Sequence, residues 1–471
     1  MVIQIGTVRD HQSAEYLKTL ALGEDDRTER LSLLDKAQTF DPDNTTVVSH
    51  LAFGLLDAQR AKLEGLAGAP NVGSRAVINL LTPVFPRFPR LIHQVNLFGV
   101  ALMEAGHFAE ALKLFEHCQW LDPEYPSLDQ NLRQAKTGAR GKSRPASDVL
   151  RAAIAQGLAR AAKVKRPTLA VCMIVKDEEE FIADALASVV RVADELIVVD
   201  TGSKDRTVEL AKSGGAEVSF FEWTGDFAAA RNASLNEASS DWILVLDADE
   251  RLTEASRTSL RAVMEEYQDS DDLQVICVKI KNYTRGGRFM NDGFSGRLFK
   301  RHPVMHFEGR VHEEVARGRP DVSMDYRLDI IFDHFGADPE VMKEKAKDER
   351  NIELLQSRIS ENPEDLLTWF YLASQHWTGG RRIDAIDAFE RVVVLFERNP
   401  SSYGVAIRNV PVPYSYVGLV RALTDRGRAS EAVEIGRRGL GRFPDNPDLW
   451  FQLGWAQIGV DDLDGAIEAF E

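Results

Sequence analysis

Three cysteines are all that 471 residues contain, and Cys118, Cys172 and Cys277 stand isolated from one another. Two of them fall in predicted strands, so the spacing gives no disulfide framework and predicts buried thiols in a reducing compartment. No apolar run is long enough to span a membrane. The N-terminus, Met1-Val2-Ile3-Gln4-Ile5, lacks the basic segment followed by a long apolar one that marks a secretory signal. Basic residues are outnumbered, 57 Lys and Arg against 73 Asp and Glu, and the resulting net charge of -16 argues against broad nucleic-acid binding. These absences together predict a cytoplasmic protein. The hydrophobic fraction of 44% and charged fraction of 28% are those of a globular chain with two or three full cores.

Glycine is missing where one family of nucleotide sites would need it. Leu169 to Val175 reads as a buried strand, followed by Lys176-Asp177-Glu178-Glu179-Glu180 and a helix with Phe181, Ile182, Ala185, Leu186 and Val189 at helical spacing. A dinucleotide loop requires glycines at that turn so that backbone can approach the pyrophosphate, and none occur. A second strand, Leu196 to Val199, ends at Asp200 and opens into Thr201-Gly202-Ser203-Lys204-Asp205-Arg206-Thr207. A third, near Glu217 to Phe221, leads through Phe227-Ala228-Ala229-Ala230-Arg231-Asn232 into a further helix. The chain then reaches Asp241-Trp242-Ile243-Leu244-Val245-Leu246-Asp247-Ala248-Asp249-Glu250, an apolar strand ending in two carboxylates one residue apart. Alternating strands and helices predict an α/β domain with a mostly parallel sheet, ligands binding at the carboxyl ends of its strands. Asp247 and Asp249 are hard oxygen donors suited to Mg²⁺ or Mn²⁺, with substrate phosphates completing the coordination.

The ordered set Val175-Lys176-Asp177-Glu178-Glu179, Val199 to Thr207, Phe227 to Asn232 and Leu246 to Glu250 resembles the inverting family 2 glycosyltransferases of the GT-A fold over roughly residues 167 to 340. The resemblance implies a nucleotide-sugar donor, UDP-linked by preference. Lys176, Glu178, Asp200, Ser203, Arg231, Asn232, Asp247 and Arg297 become donor-binding candidates. Asp247, Asp249 and His312 become metal ligands, His334 a further ligand candidate, and Glu313 the general base, with Glu314 or Glu308 next in line. One departure is Asp177, where this branch commonly has Asn.

Flanking this domain, Phe98-Gly99, Gly106, Ala111, Phe115 and Pro123 fall at the small and aromatic positions of a tetratricopeptide repeat. The pattern returns at Ala373, Gly380, Ala385 and Phe389, at Gly427, Ala432 and Pro444, and at Trp450, Gly454, Ala466 and Phe470. The expected organisation is repeats over 1–135, a basic linker and helix over 136–166, the transferase domain over 167–340 and further repeats over 341–471. The last repeat stops inside its second helix, which predicts truncation or completion by a partner. The basic helix predicted from Asp148 to Lys165 packs on the enzyme or touches an anionic membrane. Concave repeat surfaces suit polypeptides, so the expected acceptor is a protein or peptide. The alternatives are transfer to lipopolysaccharide or cell-surface polysaccharide, and a catalytically inactive interaction protein, which the presence of both Asp247 and Asp249 disfavours.

Overall fold

The computed structural model describes residues 24–60 apart from 25, 42 and 43, residues 73–336 apart from 142, 285, 317, 318 and 320, and residues 347–471 apart from 404–410. Residues 14, 17, 18, 21 and 338 are described as well, and the N-terminal Met1-to-Ile5 stretch lies outside the described residues. Two compact units make up the chain, one of Met1–Phe220, Ser234–Pro303 and Asp321–Phe335, the other of Phe221–Ala233, Val304–Pro320 and Gly336–Glu471.

The first unit is built on an eight-stranded sheet in the order β3-β2-β1-β4-β7-β6-β10-β5. Its strands are β1 (Leu169–Val175), β2 (Glu195–Asp200), β3 (Glu217–Phe220), β4 (Trp242–Val245), β5 (Glu250–Leu252), β6 (Leu273–Tyr283), β7 (Phe289–Lys300) and β10 (Val322–His334). Only β7 and β5 run against the others, so the α/β class and mostly parallel sheet expected from the sequence are present. Six of the seven residues of β1 and all four of β4 are buried, because helices cover the sheet on both faces and leave no polar side for alternation.

N-terminal helices pack onto this unit. Val48, Val77, Phe98 and Phe115 share a core with Ala262, which lies on the helix Glu254–Glu266 behind the sheet. Lys18, fully buried, reaches Asp329 at 3.5 Å, and buried Arg327 holds Asp325 at 2.7 Å and Glu266 at 3.0 Å. The basic helix, Asp148–Lys163, buries Leu150 and Ile154 in the same core, so its apolar side is already covered. Helix Leu128–Arg140 runs five residues into the stretch read as linker; Leu128, Leu132 and Ala135 bury at helical spacing and carry the helix forward.

The second unit holds the helix pairs Leu366–Thr378 with Arg382–Arg398, Pro411–Asp425 with Ala429–Leu440, and Pro447–Ile458 with Leu463–Phe470. Their turns repeat one design. Arg381 N–H donates to the His376 carbonyl at 2.8 Å, Arg428 to Leu423 at 2.9 Å and Asp462 to Gln457 at 3.0 Å; in the first unit His107 donates to Leu102 at 2.8 Å. The residue before each of these donors has positive φ: Gly106, Gly380 and Gly427 supply it without a Cβ penalty, and Asp461 takes the fourth place. Glycine serves a second purpose inside the helices. A Cβ on Gly99 would lie 2.6 Å from the Phe115 ring, and one on Gly454 2.6 Å from the Phe470 ring, so the bare backbone is what lets paired helices close. The flanking regions are tetratricopeptide-like repeats.

β8 (Phe307–Glu308) and β9 (Glu314–Val315) form a small hairpin in the second unit. The loop between them is anchored to the first C-terminal helices: Val311 enters their core and Arg310 pairs with Glu361 at 2.6 Å.

Candidate functional site

In the first unit, parallel register sets Asp200 beside Val175, and the two following loops are laced together. Asp200 is 2% exposed and accepts from the Gly202 and Ser203 amides, each at 3.0 Å, a side chain folded onto its own turn. Gly202 has φ of +109°, which that turn needs. Ser203 Oγ accepts from the Asp177 amide at 2.9 Å, Thr207 Oγ1 from the Glu178 amide at 2.7 Å, and Asp177 Oδ1 from the Lys204 amide at 2.7 Å. Asp177 has φ of +54°, a conformation Asp and Asn both tolerate, and its role as an acceptor is one an Asn oxygen fills equally well. The departure at this position is therefore structurally conservative. Lys176 is exposed at the rim of the same loop.

Residues 246–249 leave the middle of the sheet after β4 and enter the edge strand β5. Glu250 closes this turn, its Oε2 accepting from the Asp247 amide at 3.1 Å. Arg297 bridges both acids, 2.8 Å from Asp247 and 2.5 Å from Glu250. Its aim comes from a β-bulge: Gly296 pairs with Cys277 and Leu298 with Ile276, so Arg297 is the extra residue of β7. Burial pushes the Glu250 carboxyl upward and Asp247 adds to this, against the pull of Arg297 and His334. His334 lies opposite Glu250 in the antiparallel β10–β5 pair, with Nε2 3.5 Å from Asp249 Oδ1 and Nδ1 2.6 Å from Asn282 Oδ1. Burial would lower its pKa, but the hydrogen bond to Asp249 and the charges of Asp249, Glu250 and Asp247 outweigh that and raise it.

In the second unit, Arg231 projects from the helix Phe227–Glu237 and its Nε donates to Glu313 Oε1 at 2.6 Å, both side chains being largely buried. Its guanidinium lies 5.6 Å from the Phe307 ring centroid. Asn232 bonds Phe307 in both directions, Nδ2 to the carbonyl at 2.9 Å and the amide to Oδ1 at 2.8 Å, fixing the helix to β8. His312, with φ of +52°, stacks on Tyr371 of the helix Leu366–Thr378, centroids 4.2 Å apart, and Tyr371 Oη donates to Glu314 at 2.9 Å.

The candidates thus form two sets. Asp200, Ser203, Asp247, Asp249, Arg297 and His334 stand on the carboxyl side of the sheet; Arg231, Asn232, His312 and Glu313 gather at the β8–β9 hairpin. Among the described residues no group of three or more His, Cys, Asp or Glu is arranged to hold a metal ion unaided. Asp249 and His334 supply one hard oxygen and one imidazole nitrogen close enough to share an ion, a donor set that suits Mn²⁺. Sequence reasoning left Glu250, Asn282 and Tyr371 without a role, since each acquires one only through cross-strand register or repeat packing.

Open α/β sheets bind their ligands at the carboxyl ends of the strands, the edge where Asp200, Asp247 and Asp249 stand. Residues 170–311 match the family model Glycosyl transferase family 2, so this stretch of the chain is similar to that family. Among curated relatives, a TPR repeat-containing protein of Synechococcus elongatus is 34% identical over 204 residues, covering 42% of this chain and 49% of the relative. The SPbeta prophage-derived glycosyltransferase SunS of Bacillus subtilis is 27% identical over 243 residues, covering 51% of this chain and 55% of the relative. The chain spans about half the length of these curated relatives. Among solved structures, glucosyl-3-phosphoglycerate synthase from Mycobacterium tuberculosis, in complex with Mn²⁺, UDP-glucose and phosphoglyceric acid, is 19% identical with a TM-score of 0.27, covering 38% of this chain and 73% of that one.

Proposed function

We propose that this chain is a metal-dependent, inverting glycosyltransferase that moves a sugar from a UDP-sugar to a protein or peptide acceptor in the cytoplasm. The observation that carries this reading is the Asp247–Asp249 strand end, inside the region matching the family, with His334 of the neighbouring strand beside Asp249. Bound there, Mn²⁺ or Mg²⁺ would neutralise the departing diphosphate as a Lewis acid. Asp249 and His334 would hold the ion and Asp247 would lie at the donor. Asp200 and Ser203 shape the pocket for base and ribose, with Lys176 and Glu178 on its rim. Arg297, held by two acids, is presented at fixed geometry toward phosphate oxygens. Arg231 and Asn232 are assigned to the nucleotide.

Displacement with inversion requires a base for the acceptor hydroxyl or thiol, and Glu313 is assigned that role, with Arg231 fixing its carboxylate. His312 then acts by anchoring the Glu313 loop through Tyr371. The polypeptide acceptor is supported by how the loop is built: a helix of the C-terminal repeats grips the residues on both sides of Glu313. Location in a reducing compartment is supported by the three thiols, all free and buried, with burial pushing Cys172 and Cys277 up to about 12. Among the described residues no helix is long and apolar enough to cross a membrane.

Glu313→Gln should lower kcat by about 10²-fold or more, the usual contribution of a positioned base, with UDP-sugar affinity kept by calorimetry. Wild-type kcat would move the base elsewhere, and lost donor affinity would make Glu313 an anchor for Arg231.

A further inference from the structure

Register aligns four residues in one row across the sheet. Asn291 of β7 lies opposite Asn282 of β6, Asn282 opposite His334 of β10, and His334 opposite Glu250 of β5. Along this row Asn282 Nδ2 donates to Asn291 Oδ1 at 2.6 Å. In this arrangement the Asn282 amide nitrogen is committed to Asn291 and its oxygen is left for His334. Asn282 Oδ1 sits 2.6 Å from His334 Nδ1 and can only accept, so in the neutral ring Nδ1 carries the hydrogen. In that neutral ring the opposite nitrogen, Nε2, carries the lone pair and faces Asp249, whereas the charged ring donates there instead. An imidazole binds a cation only through the nitrogen that has no hydrogen, and the partner of the other nitrogen settles which one that is. Were the Asn282 amide reversed, its NH₂ would face Nδ1 and the hydrogen would move to Nε2, toward Asp249.

We propose that Asn291 and Asn282 form a positioning relay that keeps His334 in the tautomer able to share a divalent cation with Asp249. The relay rests on the metal reading of Asp249 and His334 given above. A cross-strand Asn pair could instead serve only to tie β6 to β7. In that case its loss would change stability and leave cation affinity alone, and this difference is what the test reads.

The measurement is Mn²⁺ affinity of the full chain by titration calorimetry, with a melting curve for each variant. Asn291 is exposed, so Asn291→Ala should stay folded, and it should weaken Mn²⁺ binding about tenfold, the low end for a lost ligand-orienting partner. Asn291→Asp still accepts from Asn282 and should bind within about threefold of the unaltered chain. Asn282→Asp presents only acceptors to His334, so in that background removing Asn291 should have no further effect. Unchanged Mn²⁺ affinity in Asn291→Ala would overturn the relay while the metal reading stands. A loss that persists in the Asn282→Asp background would overturn it too, since the effect would not pass through the amide. No Mn²⁺ binding by the unaltered chain would overturn both.

Discussion

Asp249→Asn should reduce sugar transfer on the order of 10³-fold, while the protein melts as the unaltered chain does. The substitution keeps the shape of the side chain and one oxygen near His334, but removes the anionic donor that makes the site attractive to a divalent cation. Asp249 lies on the connection between β4 and β5, outside the strands themselves, so the sheet does not depend on its charge. Its backbone carbonyl, which accepts from Phe335 at 3.0 Å and joins this connection to the end of β10, is untouched. The loss should take the form of a higher Mn²⁺ requirement and a lower kcat, with UDP binding in the absence of metal nearly unaffected. Full turnover by Asp249→Asn would remove the metal from the mechanism.

Arg297→Met should have the largest effect on stability, about 3–5 kcal/mol by chemical denaturation. Arg297 is 12% exposed and its partner Glu250 only 2%, so removing the guanidinium leaves a carboxylate buried beside Asp247 with its main counter-charge gone. Adding Glu250→Gln should recover most of the loss, because a neutral amide in the same place no longer needs a cation. Recovery below about 1 kcal/mol would mean that Arg297 acts by packing in the bulge and not by charge.

Much of the framework is legible because it is local. The apolar runs that became β1, β2 and β4 are short, continuous and bounded by acids, and each folds within a residue or two of where its pattern begins and ends. The repeats are legible for a similar reason: Gly99 with Phe115 and Gly454 with Phe470 leave matching small and aromatic positions at fixed intervals. What could not be read depends on long-range pairing. Half of β7 is exposed and carries no buried-strand signature, and its bulge at Arg297 appears only once Cys277 and Ile276 are opposite it. His334 meets Asp249 because β5 turns back along β10, a pairing that separates the partners by some eighty residues of sequence. Lys18 and Asp329 are 311 residues apart, and a lysine buried without exposure has no sequence signal. The ion pair ties Lys18 to β10 within the first unit.

The glycosyltransferase reading is tested most directly by nucleotide release. The full chain is incubated with a panel of UDP-sugars, with Mn²⁺ or with a chelator, and free UDP is measured. UDP should be released from at least one donor, in a reaction that depends on Mn²⁺ and is lost in Asp249→Asn. Release that is unchanged in chelator, or no binding and no release with any UDP-sugar in the presence of Mn²⁺, would contradict that reading.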